Sequence, residues 1–282
     1  MSPRVWFITG CSSGFGRLIA QAARQRGDVV VATARHLAAL DDLAAQSALT
    51  YALDVTWPDE QLQGVVSAVV AQTGRIDILV NNAGYILTGG IEEVSREEVL
   101  QQYDTNVLGQ LNVARAILPY MRARRSGTIC NMASIGSWRG VAGAGVYCGS
   151  KAACSIHSEA LRQEVAPLGI EVVAVEPGYF RTNFLTTSNR QRAQTRIADV
   201  AGPVDTAIRA LDAKNCQQPG NPEVAAQLLV EILTRTGRAQ GRQLPARLAL
   251  GNDAVTVIPS IMNRVRDDIE EWKELTGATD FN

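Results

Sequence analysis

Tyr147 and Lys151 are the residues of this sequence best suited to proton transfer. They are four positions apart, so on a helix they share one face. A tyrosine, with a reference pKa of about 10, is a poor acid or base near neutrality, but an ammonium one turn away favours the phenolate and lowers that pKa. Ser134 follows an apolar run and would hydrogen-bond a carbonyl oxygen beside the phenol. These residues predict acid–base chemistry at a ketone or alcohol, although the Tyr–Lys pair by itself is also typical of a half-exposed helix.

A glycine-rich stretch, Thr9–Gly16, follows the first apolar run of the chain. It reads Thr-Gly-Cys-Ser-Ser-Gly-Phe-Gly and precedes a helical pattern. Glycines there permit a tight turn and allow backbone N–H groups to approach a pyrophosphate, and the start of a helix adds a favourable dipole for an anion. A lone glycine motif also occurs in ordinary strand–helix turns. Its place directly after the run at 5–8 favours a phosphate-binding loop.

The elements that must position these residues alternate regularly. We predict strands at 5–8, 29–31, 49–53, 76–80, 128–132 and 170–175. A first helix follows the glycine loop and ends at Gly27, and further helices are predicted at 37–46, 58–73, 96–125 and 146–167. The helix at 96–125 is expected to break near Pro119. Continuous apolar runs are typical of strands buried on both faces of a parallel sheet. The pattern indicates an α/β fold over residues 1–282: one domain with a doubly wound, mostly parallel sheet and helices on both faces.

The regular alternation ends after residue 181. Residues 183–222 are polar and rich in Pro and Gly, which predicts an irregular segment that acts as a lid or binding loop. A helix resumes near Pro222. A last amphipathic segment, 255–272, is expected to pack on its own domain or on a subunit partner, and its acidic and basic outer face makes a membrane surface a poor alternative.

Composition excludes several classes of protein. Lys and Arg number 27 against 28 Asp and Glu, a formal charge of −1, so no general attraction to nucleic acid or anionic lipid is expected. The five cysteines are irregularly spaced and, with the two histidines, give no metal-ligand pattern. No targeting signal or membrane span is evident, which predicts a cytoplasmic protein with reduced thiols and no metal.

Further motifs follow the glycine loop in order. They are Asp54-Val55 after the third strand, Asn81–Gly84 after the fourth, Asn106 in the long helix, Ser134 after the fifth strand, Tyr147–Lys151 in the next helix, and Pro177-Gly178 after the sixth strand, followed by Thr182. With the T-G-x-x-x-G-x-G spacing, this set resembles the short-chain dehydrogenase/reductase family closely over residues 4–182 and loosely beyond. The hydroxysteroid and retinol dehydrogenases, and ketoreductases of secondary metabolism, are the most similar branch.

The resemblance implies a Rossmann-type domain that transfers hydride between a nicotinamide cofactor and a ketone or secondary alcohol. It implies cofactor contacts from Gly10, Ser12, Ser13, Gly14, Phe15, Gly16, Arg35, Asp54, Val55, Asn82, Ala83, Gly84, Tyr147, Lys151, Pro177, Gly178 and Thr182. Ser134, Tyr147 and Lys151 would be catalytic. Asn106 would bind a water that relays protons from Lys151 to solvent, or would only satisfy backbone groups within its helix.

Arg35 decides the expected cofactor. An NAD site usually has an acid after the second strand to bind the ribose 2′-hydroxyl, but here no acid appears before Asp41. Arg35 would instead pair with a 2′-phosphate, with Ser12 adding a hydroxyl contact, unless Arg35 is only a solvated surface cation. NADP(H) is therefore expected rather than NAD(H).

The segments after Ser134 and Pro177 supply apolar side chains for a substrate pocket. These are Ile135, Trp138, Val141, Val146, Tyr179, Phe180, Phe184 and Leu185, with Arg139 and Arg181 as the charged exceptions. A lipophilic substrate, polyketide-like or steroid-like by analogy, is expected. Two alternatives stay open: an enzyme of this fold without net redox change, such as an epimerase or dehydratase, and a catalytically silent dinucleotide-binding regulator. By resemblance, the helices at 96–125 and 146–167 would pair in a homodimer or homotetramer.

Overall fold

The computed structural model describes residues 2–186 and 189–281. In chain order its strands are β1 (Val5–Ile8), β2 (Val29–Ala34), β3 (Leu49–Ala52), β4 (Ile78–Asn81), β5 (Ile86–Thr88), β6 (Gly127–Met132), β7 (Ile170–Pro177), β8 (Arg190–Arg192) and β9 (Arg247–Leu250). Its α-helices are α1 (Gly14–Gln25), α2 (Asp41–Ala45), α3 (Asp59–Thr73), α4 (Arg96–Tyr103), α5 (Gly109–Arg124), α6 (Gly145–Val165), α7 (Ala198–Lys214), α8 (Pro222–Thr234) and α9 (Asn252–Thr276).

Seven strands form one parallel sheet in the order β3-β2-β1-β4-β6-β7-β9. The strand order reverses between β1 and β4, so the connections that leave these two strands turn in opposite directions and open a crevice at their carboxyl ends. The predicted doubly wound α/β fold is confirmed. Strand β9 was not predicted from the sequence, because its apolar run is short.

The sheet is covered on both faces. On one side, Ile19 of α1 and Leu229 of α8 are fully buried against β1 and β2. On the other side, Leu62 of α3 and Ile117 of α5 are fully buried against residues that include Phe7 of β1. Burial on both faces explains why the central strands are continuous apolar runs rather than alternating ones.

The long helix predicted at 96–125 is interrupted at a different place from the one expected. Helix α5 continues through Pro119, which lies on its exposed side, so the prediction of a break there was wrong. The interruption is a π-helical turn over Asp104–Leu108, between α4 and α5. Such turns are frequent at functional sites, and this one carries Asn106.

The prediction of an irregular segment over 183–222 was also wrong in part. Helix α7 occupies Ala198–Lys214 and buries Val204, Ile208 and Leu211. These three residues have helical spacing, but Pro203 beside them disguised the pattern. Ahead of α7, β8 pairs in parallel with β5, which attaches the segment to the body of the protein.

The last helix, α9, is longer than the amphipathic segment from which it was predicted. Its first part packs on the protein through Ala254, Ile258 and Ile261. Every residue from Met262 to Phe281 is exposed, so the expectation of packing on its own domain holds only for the start of the helix. None of the helices within residues 2–186 and 189–281 combines the length and the apolar composition of a membrane span.

Candidate active site

The glycine loop is fixed against the end of β4. Thr9 Oγ1 accepts hydrogen bonds from the amides of Asn82 and Ala83, both at 3.0 Å. In return, Asn82 Nδ2 donates to the carbonyl oxygens of Thr9 (2.9 Å) and Gly10 (3.0 Å). These bonds tie two of the predicted motifs into one rigid corner.

At two positions of this corner the neighbouring backbone lies so close that only glycine fits. A Cβ at Gly16 would lie 2.5 Å from the carbonyl oxygen of Gly10, and a Cβ at Gly10, whose φ is +70°, would lie 2.9 Å from Ala83 Cα. Helix α1 begins at Gly14, and the side chain of Ser13, the residue before it, makes no capping hydrogen bond to the first amides of the helix. Those N–H groups and the helix dipole form a cradle suited to a phosphate.

A cavity of about 520 Å³ runs from this cradle along the carboxyl ends of the strands. It is lined by every residue predicted to be catalytic or to contact the cofactor, except Gly16 and Asn106. Gly16 lies beneath the turn that it permits. The fold therefore brings the predicted residues together around one cavity, and their roles stay predictions.

At one end of the cavity, Arg35 and Asp54 lie at the ends of β2 and β3. Arg35 is exposed and lines the cavity together with Ser12. Asp54 is half-buried, and its Oδ1 accepts hydrogen bonds from the amide (3.0 Å) and hydroxyl (2.8 Å) of Thr56. This end of the cavity therefore has an exposed guanidinium, that of Arg35, and a carboxylate, that of Asp54.

Arg17 is a contributor to this end of the site that the motifs did not reveal. Its guanidinium donates to the carbonyl oxygens of Ser12 (3.2 Å) and Ala39 (2.8 Å) and pairs with Asp42. It fastens the glycine loop to the segment after β2. Because Asp42 balances its charge, Arg35 is the better candidate for an added phosphate.

At the other end, Ser134, Tyr147 and Lys151 come together on the wall of the cavity. Ser134 lies two residues beyond the end of β6, and its hydroxyl accepts from the amide of Gly136 at 3.0 Å. Tyr147 and Lys151 lie on the first turns of α6. All three are buried, with 9%, 8% and 4% of their surfaces exposed. The Tyr147 ring packs against Phe184, with 5.9 Å between ring centroids.

Burial controls the titration of this group. It raises the pKa of Tyr147, and a hydrogen bond with the Ser134 hydroxyl offsets part of that rise. Burial likewise lowers the pKa of Lys151, whose Nζ donates to the carbonyl oxygen of Met132 at 2.7 Å. The protein alone therefore holds Tyr147 as a neutral phenol, so the expected lowering of its pKa by Lys151 is not seen in this arrangement.

Asn106 is close to Lys151 but does not line the cavity. Its Oδ1 accepts from the amide of Tyr85 (3.1 Å), and its Nδ2 donates to the Tyr85 carbonyl (3.0 Å) and to Ser150 Oγ (3.2 Å). A Cβ at Gly84 would lie 3.0 Å from Asn106 Oδ1 and 3.5 Å from Lys151 Nζ. Asn106 thus braces the strand end beside Lys151, and the proton relay stays a prediction.

Of the eight apolar residues predicted for a substrate pocket, six line the cavity near Tyr147 and two do not. Ile135, Val141, Tyr179, Phe180, Phe184 and Leu185 line it. Trp138 and Val146 do not, and the Trp138 indole instead donates to Glu176 Oε2 at 2.6 Å. Of the two arginines, Arg139 lines the cavity and Arg181 does not. Residues that the sequence had not suggested complete the lining, among them Ile86, Ala144, Leu211 and Gln218.

The fold and the cavity define a Rossmann-type protein with a dinucleotide cradle next to a Ser–Tyr–Lys group. The chain matches the model of the short chain dehydrogenase family over residues 4–193. It belongs to that family of oxidoreductases, which bind nicotinamide dinucleotides.

Three similar proteins illustrate the relationship. An oxidoreductase, BOA17, from Botryotinia fuckeliana is 33% identical, with 98% of this chain and 99% of that protein covered. A 3-ketodihydrosphingosine reductase from Bacteroides thetaiotaomicron is 37% identical over 75% of this chain and 76% of its own. The crystal structure of a short-chain dehydrogenase from Streptomyces avermitilis superposes with a TM-score of 0.88 at 40% identity, covering 98% of this chain and 100% of that one.

Proposed function

We propose that this protein is an NADP(H)-dependent oxidoreductase that acts on a ketone or secondary alcohol of a lipophilic small molecule. The observation that carries the proposal is the placement of Ser134, Tyr147 and Lys151 on the wall of the cavity that also contains the glycine cradle. A carbonyl oxygen hydrogen-bonded to Ser134 would lie beside the neutral Tyr147 phenol, which can supply the proton that reduction to an alcohol requires.

The residues of the cavity fit a nicotinamide dinucleotide. The glycine cradle excludes side chains where a pyrophosphate would approach the backbone. Asp54 and Val55, which line the same cavity, would contact the adenine. Asn82–Gly84, Pro177-Gly178 and Thr182 line the path toward Tyr147 and Lys151. When bound, the dinucleotide supplies the hydride donor or acceptor.

Arg35 supports NADP(H) over NAD(H). Its guanidinium is exposed at the end of β2, and no acidic residue lies between it and Asp41. A planar guanidinium matches two phosphate oxygens at once, whereas an acid at this place would repel the 2′-phosphate.

The lining of the substrate end supports a lipophilic substrate. Val141, Phe184, Leu185 and Leu211 give it apolar walls, and Phe184, Leu185 and Leu211 come from the 183–222 segment. That segment is the proposed lid. The name of the Bacteroides relative, a reductase of 3-ketodihydrosphingosine, is consistent with a ketone on a lipophilic chain.

Assembly and location complete the proposal. Leu108, between α4 and α5, and Ile156 of α6 are 48% and 57% exposed, which suits pairing of these helices in a homodimer or homotetramer. All five cysteines are free thiols and four are buried, as expected for a cytoplasmic protein.

A substrate screen tests the proposed function. The protein is mixed with NADPH and a panel of ketones of increasing apolar size, and loss of NADPH absorbance is measured beside product formation. Net NADPH consumption supports a reductase. A product formed without net consumption indicates an epimerase or dehydratase, and dinucleotide binding without turnover indicates a regulator; either result contradicts the proposal.

A further inference from the structure

The outer part of helix α9 is an exposed apolar face. Beyond Ile261 the helix leaves the body of the protein, and all residues from Met262 to Phe281 are exposed. Large apolar side chains nevertheless continue along it, with Ile269 60% and Trp272 55% exposed. A contiguous apolar face of this kind marks an interaction site.

The spacing of these side chains is that of a helix-pairing seam. Apolar residues alternate at intervals of three and four: Val255, Ile258, Met262, Val265, Ile269 and Trp272. This is the a/d pattern of a coiled coil, in which a 3.5-residue repeat keeps one narrow stripe facing a second helix. The body of the protein covers only Ile258 of this stripe.

The charges beside the seam distinguish two directions of pairing. In this register Asp268 is at position g, whereas Arg266 and Lys273 are at position e. Parallel pairing of two copies places Asp268 of one copy against Lys273 of the other. Antiparallel pairing places g against g and e against e, which brings like charges together. Within one chain Lys273 pairs with Glu270 at 2.6 Å, an exposed contact that is easily exchanged.

Net charge disfavours a lipid surface as the alternative occupant. Residues 262–281 carry three cations, Arg264, Arg266 and Lys273, against six acids, Asp267, Asp268, Glu270, Glu271, Glu274 and Asp280, so the net charge is 3 − 6 = −3. Anionic headgroups would repel this segment.

We propose that α9 pairs in parallel with α9 of a second copy of this chain, through Met262, Val265, Ile269 and Trp272. This surface is separate from the α5 and α6 helices, and it does not depend on the enzymatic activity.

Cysteine cross-linking tests both the partner and the direction. In the parallel arrangement Ile269 faces Ile269 of the second copy, so an Ile269→Cys variant is oxidised with diamide, which takes up the two electrons and two protons released when the disulfide forms. Cys216, the exposed native thiol, is first replaced by Ser. Glu270→Cys, one residue away on the outer face, is the matched control.

We expect at least tenfold more disulfide-linked dimer from Ile269→Cys than from Glu270→Cys, and loss of that difference when Trp272→Glu is added. Equal cross-linking at the two positions overturns the proposal. Cross-linking only in mixtures of Ile269→Cys with Val265→Cys overturns it in favour of antiparallel pairing. Co-sedimentation with phosphatidylcholine–phosphatidylglycerol vesicles that abolishes the cross-link overturns it in favour of a membrane surface.

A second inference concerns the turn that follows Ser134, and it rests on the proposed function. Residues Ile135–Trp138 form one 3-10 turn whose indole donates to Glu176 Oε2 at 2.6 Å. Glu176 is 1% exposed, and its Oε1 accepts from Ser155 Oγ (2.8 Å) and Arg247 Nε (2.7 Å).

The turn has further attachments to helix α6, which carries Tyr147 and Lys151. Ser137 Oγ donates to the carbonyl oxygen of Lys151 at 2.9 Å and lies 3.1 Å from Ser155 Oγ. The Arg247 guanidinium lies over the Trp138 ring, 4.0 Å from its centroid. A buried carboxylate with these partners is rigid because every shift breaks charge-assisted hydrogen bonds.

The geometry points to Glu176 as a positioning residue that sets the Ser134 hydroxyl against Tyr147 by holding the 135–138 turn through Trp138. Misplacing a hydrogen-bond donor at a reacting centre slows the chemical step without altering distant binding contacts. Trp138→Phe and Glu176→Gln should therefore each lower kcat about tenfold while the Kd for NADPH is unchanged.

A double-mutant cycle separates positioning from general damage. Single-turnover rates are measured for Ser134→Ala, Trp138→Phe and the double variant, with folding checked by thermal unfolding. If the indole acts through Ser134, Trp138→Phe has no further effect once the hydroxyl is gone. If the rate of the double variant is lowered by the product of the two single rate losses, the inference is overturned. Wild-type activity of Ser134→Ala would instead overturn the proposed function.

Discussion

The carboxylate of Asp253, at the start of α9, accepts a hydrogen bond from the backbone amide of Tyr179 at 2.7 Å. This contact joins residues 74 positions apart and fixes the turn that follows β7. Gly178 is packed so closely against it that a Cβ there would lie 1.9 Å from Asp253 Oδ1. Helix α9 therefore supports the wall of the cavity that Gly178 and Tyr179 form, a role that the motifs did not reveal.

Gly178→Ala should displace the Asp253 carboxylate and break its bond to Tyr179. We expect the free energy of unfolding to fall by about 1–3 kcal/mol and dinucleotide binding to weaken. Denaturant unfolding and dinucleotide titration measure the two effects. Gly64→Ala is the matched control, because Gly64 lies in α3 with open space around its Cβ and should gain slightly in stability. Equal stability of the two variants would contradict the packing argument.

Tyr147→Phe should abolish turnover and leave dinucleotide binding measurable. The substitution removes the buried hydroxyl next to Ser134 but keeps the ring that packs on Phe184. A loss of at least about a hundredfold in kcat is expected for removal of a general acid. Steady-state rates and fluorescence titration of NADPH provide the measurement. Retained ketone reduction would show that another group supplies the proton.

Arg35→Asp should shift the preference from NADPH toward NADH. The change removes a guanidinium at the end of β2 and introduces a charge that repels a 2′-phosphate but accepts from a 2′-hydroxyl. We expect kcat/KM for NADPH to fall about tenfold or more, the effect of one charge-assisted contact. Arg122→Asp, with the same charge change on exposed α5 surface, is the control. An unchanged ratio of the two cofactors would overturn the assignment.

The pH dependence of the two reaction directions should differ. Because burial raises the pKa of Tyr147, the phenol stays protonated through neutral pH, and ketone reduction should change little until alkaline pH. Alcohol oxidation needs the phenolate as base, so its rate should rise by about tenfold per pH unit below that pKa. Because burial lowers the pKa of Lys151, its ammonium is lost earlier in the alkaline range than that of an ordinary lysine. Initial rates in both directions test this, and a reduction rate that falls across neutral pH would contradict it.

The sequence by itself determined most of the doubly wound sheet and most of the residues that line the cavity. The continuous apolar runs and the glycine loop follow local rules: a strand buried on both faces must be apolar, and a backbone that approaches a phosphate must lack side chains. Tyr147 and Lys151 share a helix face for the same local reason. These features depend on neighbours within a few residues, so their spacing predicted them.

Tertiary structure alone decided what depends on distant partners. Pro119 stays inside α5, and Pro203 inside α7, because packing of the apolar faces of those helices outweighs the local cost of proline. Trp138 turns away from the cavity because the buried carboxylate of Glu176 accepts its indole N–H. Asp253 reaches Tyr179 only once α9 packs beside β9. A buried polar group is stabilised by whichever partner the fold brings near it, and sequence spacing carries no information about a partner that lies many residues away.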